Sequence, residues 1–85
     1  MHGEDMKIFL VYRNSDLTEG RGPMVLDKIF LDRERSIKFA LKQPGVMGIT
    51  GRQNWLDKAK LVKLLGTDAY KLVDGDWEVY QVEIE

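Results

Sequence analysis

The chain has no cysteine, and its single histidine is His2. Without cysteine there is no disulfide framework, no thiolate zinc site and no thiol nucleophile, a composition that suits a reducing compartment. With histidine confined to the second position, a histidine triad, a histidine-rich metal site and ordinary histidine acid/base chemistry have no material. Ser15 and Ser36 have no base near them in sequence. Long hydrophobic runs are missing too. The longest is Ile8 to Tyr12, against the roughly 20 residues that a membrane-spanning helix needs, and no signal-peptide pattern is present. The expectation is a soluble, cytoplasmic protein with no membrane contact and no cofactor.

What is present fits one small unit. Eighty-five residues allow a single domain, and a chain of this length buries only about 60 to 65% of the surface its unfolded form exposes. Stability must come from the core or from self-association, which leaves a homodimer open. Residues 1–5 read as a tail and 6–85 as the domain. The 13 basic and 14 acidic residues are unevenly spread. From Arg33 to Lys71 there are nine basic residues against three acidic, a surplus of six, whereas residues 72–85 carry five acids and no base. Such segregation can build a basic face for an anionic partner, although solvated lysines on helices and solvated glutamates on an exposed strand are the plainer account.

Periodicity outlines an α+β fold. Met6 to Arg13 is apolar on both alternating faces, the pattern of an interior strand covered on both sides. Met24 to Leu31 predicts a second, antiparallel strand, with Pro23 at its start where no ladder donor is lost. Asp32 stands at an N-cap position and Glu34 in the first turn of a helix running to about Gln43, with Ile37, Ala40 and Leu41 as its core stripe and Phe39 turned to a neighbouring element. Pro44-Gly45 ends it. Gly45 to Arg52 predicts a short edge strand or a tight crossover. Asn54 and Asp57 resemble a capping box opening a helix to Gly66, with a strand through Lys58 to Leu64 as the competing reading. Asp74-Gly75 between Ala69–Val73 and Trp77–Ile84 predicts a hairpin. In its second strand Trp77 is expected to be partly exposed, and Glu78, Glu83 and Glu85 suggest an outer position. The sum is a mostly antiparallel four- to five-stranded sheet with one or two helices on one face, in the order ββα(β)αββ.

The candidate site is the connection between the first two strands. Gly20 and Gly22 let successive amides point into one concavity, and Arg21 between them supplies a planar, bidentate donor suited to phosphate or carboxylate. Asn14, Ser15, Asp16 and Thr18 add short polar groups that fix such a loop, and Glu19 is a ready internal partner for Arg21. The connection is longer than a usual hairpin loop, which favours recognition over a plain turn. Gly48-Ile49-Thr50-Gly51-Arg52 is a second glycine-arginine element, and Arg21 with Arg52 would form an anion clamp if the fold brought them together. Irregular turn structure is the plainer account of it. The carboxylates Asp16, Glu19, Asp27 and Asp32 match neither an EF-hand spacing nor a glycosidase pair. The inventory therefore points away from an enzyme, and the tyrosines and tryptophans read as core filler or interface anchors.

Asn14-Ser15-Asp16-Leu17-Thr18-Glu19-Gly20-Arg21-Gly22-Pro23-Met24, followed by a strand, a basic helix, Gly45-Val46-Met47-Gly48 and Asp74-Gly75-Asp76-Trp77, resembles a group of small bacteriophage-encoded proteins of unknown function. The resemblance implies a phage accessory factor in the bacterial cytoplasm and carries over no catalytic residues. The expected function is a non-enzymatic protein that binds, and inhibits or modulates, a host protein through residues 14–23. The alternatives are a phosphate- or nucleotide-sequestering protein using the Gly-Arg loops on an anionic small molecule, and a nucleic-acid binder with a basic face.

Overall fold

The computed structural model describes residues 6–16, 19 and 22–84. The chain runs β1 (Met6–Asn14), β2 (Met24–Phe30), α1 (Arg33–Leu41), α2 (Arg52–Lys58), β3 (Lys60–Leu64), β4 (Thr67–Asp74) and β5 (Trp77–Ile84). All five strands join one antiparallel sheet in the order β2-β1-β5-β4-β3. The α+β class, the sheet and the two helices are as the sequence predicts. The fifth strand lies after α2 rather than between the helices.

β1 is interior, paired with both β2 and β5, as its two-sided apolarity requires. Between Val11 and Tyr12 the register shifts, so Asp27 has no cross-strand partner. This bulge lets the Asp27 carboxylate accept from Arg13 Nε at 3.1 Å. β5 is the middle strand, not an outer one. Its acids misled because Glu78 is half-buried and engaged within the sheet, while Glu85 lies outside the described residues.

One face of the sheet carries Phe9, Val11, Leu72, Trp77 and Val79 and receives both helices. Their core continues through Ile37, Ala40 and Trp55, with Phe30, Phe39, Val46 and Ala59 at its border. In α1, Phe39 meets Phe30 at 5.4 Å with the rings tilted by 48°, and lies edge-on to Trp77 at 6.1 Å. Leu41, expected in the stripe, is exposed, because α1 ends there and Lys42 is already its C-cap. Asp32 takes the N-cap position with extended backbone but makes no side-chain cap bond; its carbonyl accepts from the Ser36 N–H at 3.1 Å. Trp77 is fully buried, not partly exposed, since its indole N–H donates to the Pro44 carbonyl at 2.7 Å. That bond satisfies the only polar atom of the side chain and lets it pack as core.

The segment 54–65 resolves in favour of both readings in turn. α2 starts after Gly51, so Asn54 and Asp57 form no cap, and it buries only Trp55 before Ala59 turns extended. β3 then pairs Lys60 to Leu64 with β4. Helical periodicity fails here because strand addition buries Val62 and Leu64 against Ala69 and its neighbours, a tertiary gain that local pattern cannot show. Leu65-Gly66 closes the β3–β4 hairpin with both residues at positive φ, +52° and +84°, the signature of a type I′ loop. In the β4–β5 hairpin the loop is Gly75-Asp76, with Asp74 and Trp77 paired across it, one residue later than Asp74-Gly75 suggested. Gly45 to Gly51 is a crossover without a strand.

Candidate functional site

The base of the β1–β2 connection is firmly built. Asn14 is buried at the end of β1, and its N–H donates to the Asp76 carbonyl at 2.8 Å. Its Oδ1 accepts from the Asp16 N–H at 3.0 Å, an Asx-turn, while the Ser15 N–H reaches the Pro23 carbonyl at 2.9 Å. Asp16 Oδ1 accepts from the N–H of the exposed Glu19 at 3.2 Å. Gly22 packs so closely that a Cβ would stand 2.0 Å from Ser15 Oγ and 2.9 Å from the Asp16 nitrogen. The Ser15–Pro23 bond and the close packing of Gly22 therefore hold the loop's two ends together, while the Asn14 and Asp16 side chains shape its first turns. Thr18, Gly20 and Arg21 lie outside the described residues.

Arg52 sits at the start of α2, exposed, with Nε 3.4 Å from Glu34 Oε1 of α1. The crossover before it is held by the sheet. Asp74, fully buried, accepts from the N–H groups of Met47 and Thr50. That second glycine-arginine element is thus a turn fixed through the Thr50 N–H, with its arginine left on the surface. Among the described residues no group of three or more His, Asp or Glu gathers that could hold a metal ion.

The face of the sheet opposite the helices is different. Alternation places Met6, Ile8, Leu10 and Tyr12 of β1, Met24, Leu26 and Ile29 of β2, Tyr80, Val82 and Ile84 of β5, and Val62, Leu64, Ala69 and Val73 of the remaining strands on this one side. Ala69, Tyr80 and Val82 are buried by their strand neighbours alone. Among the described residues no helix lies over them. Met6 and Ile29 are 59% and 58% exposed, and Leu26, Val73 and Ile84 are also exposed.

The polar groups of this face are mostly satisfied within it. Glu78 accepts from Tyr80 Oη at 2.8 Å and pairs with Lys71 Nζ at 3.1 Å. The ammonium of Lys71 lies 5.6 Å from the centre of the Tyr80 ring, and Tyr12 meets that ring edge-on at 5.2 Å. Burial, then the bond to Glu78, pushes the Tyr80 phenol up. For Lys71 burial acts downward, but the hydrogen bond and charge of Glu78 outweigh it and the ammonium is held above its ordinary range. Both shifts move these groups away from neutral pH, opposite to what general acid/base chemistry requires.

At the corner where α2 passes into β3, Lys58, Lys60 and Lys71 border a hollow of about 360 Å³ whose apolar lining is Ile49, Val62, Leu72 and Val73. Lys60 and Lys71 are direct cross-strand partners. β3 pairs with β4 only from Lys71 back to Thr67, so the edge of β4 beyond Lys71 has no strand beside it. A wider hollow of about 740 Å³ lies over the other end of β4 and β5, bounded by Tyr70, Gln81 and Glu83.

Comparison of the chain with protein-family models, with curated proteins and with solved structures returns no match. The open apolar face and its lysine corner are therefore read on their own chemistry. Sequence reasoning passed over both, although the signal was there: a strand apolar on two sides in a sheet with helices on one leaves an apolar face uncovered.

Proposed function

We propose that this chain is a non-enzymatic accessory protein that acts by binding another protein, and that the open face of the sheet is its contact surface. The observation that carries this is the continuous apolar face over which no described residue forms a second layer, where Met6, Leu26, Ile29, Val73 and Ile84 are exposed around a buried centre. Contiguous apolar surface of this kind marks interaction sites. Five strands at about 4.8 Å spacing and about 3.3 Å per residue give a footprint of roughly 600 Å², near the ~800 Å² that one partner contributes to a standard interface. Tyr12 and Tyr80 supply rigid aromatic anchors at its centre.

The occupant fits a different protein better than a second copy. Glu78 is the only acid at an open-face position of the described strands, and it is already engaged by Lys71 and Tyr80. Among the described open-face residues a second copy would bring further lysines and no available carboxylate, whereas a partner with its own acids complements the face. The resemblance to phage-encoded proteins makes a bacterial host protein the natural target.

The test compares capture from bacterial lysate with solution behaviour. Wild type and Arg52→Ala are expected to retain one stoichiometric partner, and Ile29→Lys to lose it while its thermal unfolding is unchanged. The purified chain is expected to sediment as a monomer at micromolar concentration. A dimer abolished by Ile29→Lys would give the face to a second copy and overturn the reading. Loss of the partner on Arg21→Ala, with Ile29→Lys silent, would move the contact to the loop.

A further inference from the structure

The lysine corner deepens that reading. Lys58 and Lys60 make no ion pair among the described residues, and Lys60 stands directly opposite Lys71 on the same face. Like charges in that position destabilise a sheet. Glu78 relieves Lys71 from the other side, but no described residue relieves Lys60. Part of the arrangement has an ordinary cause: Lys58 lies in the last turn of α2, where a cation suits the helix dipole, and lysine on an edge strand discourages unwanted pairing. Neither cause brings three ammonium-bearing chains around one concavity with an apolar floor. That combination suits a negative group carried on an apolar body.

We propose that Lys58, Lys60 and Lys71 form the charged rim of the interface and seat a carboxylate of the bound protein. The surface recognised would then be an apolar patch bordered by Asp or Glu. The hollow lies at the margin of the open face, with Lys60, Val62, Lys71 and Val73 common to both. Interfaces have this anatomy, an apolar centre with a polar, solvent-accessible rim. Rim charges also steer encounter and impose salt dependence.

The inference rests on the face as contact surface, and its test separates the two. Amide shifts of the isotope-labelled chain are followed on titration with a capped peptide of alternating leucine and glutamate, with its leucine-glutamine counterpart, and with inorganic phosphate. The glutamate peptide is expected to shift Lys60, Val62, Lys71, Leu72 and Val73. Lys58→Gln combined with Lys60→Gln is expected to weaken it about 5- to 10-fold, as two rim charge pairs would, and added salt to do the same. Both lysines are exposed, so the fold is retained. Equal binding of the glutamine peptide would leave the apolar face standing and overturn the carboxylate seat. Phosphate shifting these amides while the peptide does not would make the corner a free-anion site, which also overturns it. No response to any probe overturns it as well.

Discussion

The buried carboxylate of Asp74 holds the crossover through Thr50, whose backbone N–H donates to Asp74 Oδ2 at 2.9 Å. A second bond from the Met47 N–H falls on the other oxygen. One side chain on β4 thus anchors the segment that carries the chain from α1 to α2. Hydrogen bonds to charged groups contribute about 1.5 to 3 kcal/mol each, and their loss leaves buried donors unmade. Asp74→Ala is expected to lower stability in urea unfolding by about 3 kcal/mol or more, with Asp74→Asn milder because one acceptor oxygen remains. Thr50→Val behaves in the opposite way. The Thr50 hydroxyl is buried with no partner among the described residues, so an apolar isostere is expected to be neutral or to stabilise by about 1 kcal/mol.

Gly75 and Gly45 meet backbone to backbone. A Cβ on Gly75 would stand 1.8 Å from the Gly45 carbonyl oxygen, and φ at Gly75 is +60°. Gly75→Ala is therefore expected to cost about 3 kcal/mol or more, from displaced backbone as well as from strain. Gly66→Ala is the matched control: its φ is +84° but nothing lies within 4 Å. It should lose only the left-handed penalty of about 1 to 2 kcal/mol. Equal losses in the two variants, measured by denaturant midpoint, would refute the close approach.

Leu65 is the one described residue other than glycine at positive φ, and it is 96% exposed. It gains nothing from burial there and carries a conformation that suits asparagine better. Leu65→Asn is expected to raise the melting temperature, by about 0.5 to 1 kcal/mol in stability. A fall would mean that the leucine makes a contact in solution.

Lys71 and Tyr80 predict how stability responds to alkali. Both folded-state values lie above the ordinary ones of 10.5 and 10.0. The folded protein therefore binds these protons more tightly than the unfolded chain does. The resulting stability is fully present below about pH 10 and is lost as pH rises through the folded values. Urea midpoints are expected to hold steady up to that pH and to fall beyond it. The fall should flatten in a Lys71→Gln, Tyr80→Phe variant.

The sequence showed most of the fold because its signals were local: the two-sided apolarity of β1, proline and glycine at the end of α1, the turn after Asp74. It failed where distance decided. Val62 fits a helix stripe with Trp55 and Ala59 in sequence, but in space it packs with Leu64, which lies off that stripe, beside Ala69. Trp77 looked exposed beside a turn, and the carbonyl that buries it comes from Pro44. At the candidate loop, the small polar residues Asn14 and Asp16 were legible as turn-makers, and their Asx bonds are what the structure shows. The lysine corner was not legible, since Lys58, Lys60 and Lys71 are gathered only by the α2–β3 turn and the register of β3 on β4.

Both indoles of this chain, Trp55 and Trp77, lie buried on the helix side of the sheet, while the open face carries tyrosines. Tryptophan emission should accordingly report unfolding with a large red shift and stay nearly silent when a partner docks on the open face. A ligand that quenches or shifts it has reached the helix layer instead, so the colour of the fluorescence tells which side of the sheet has been touched.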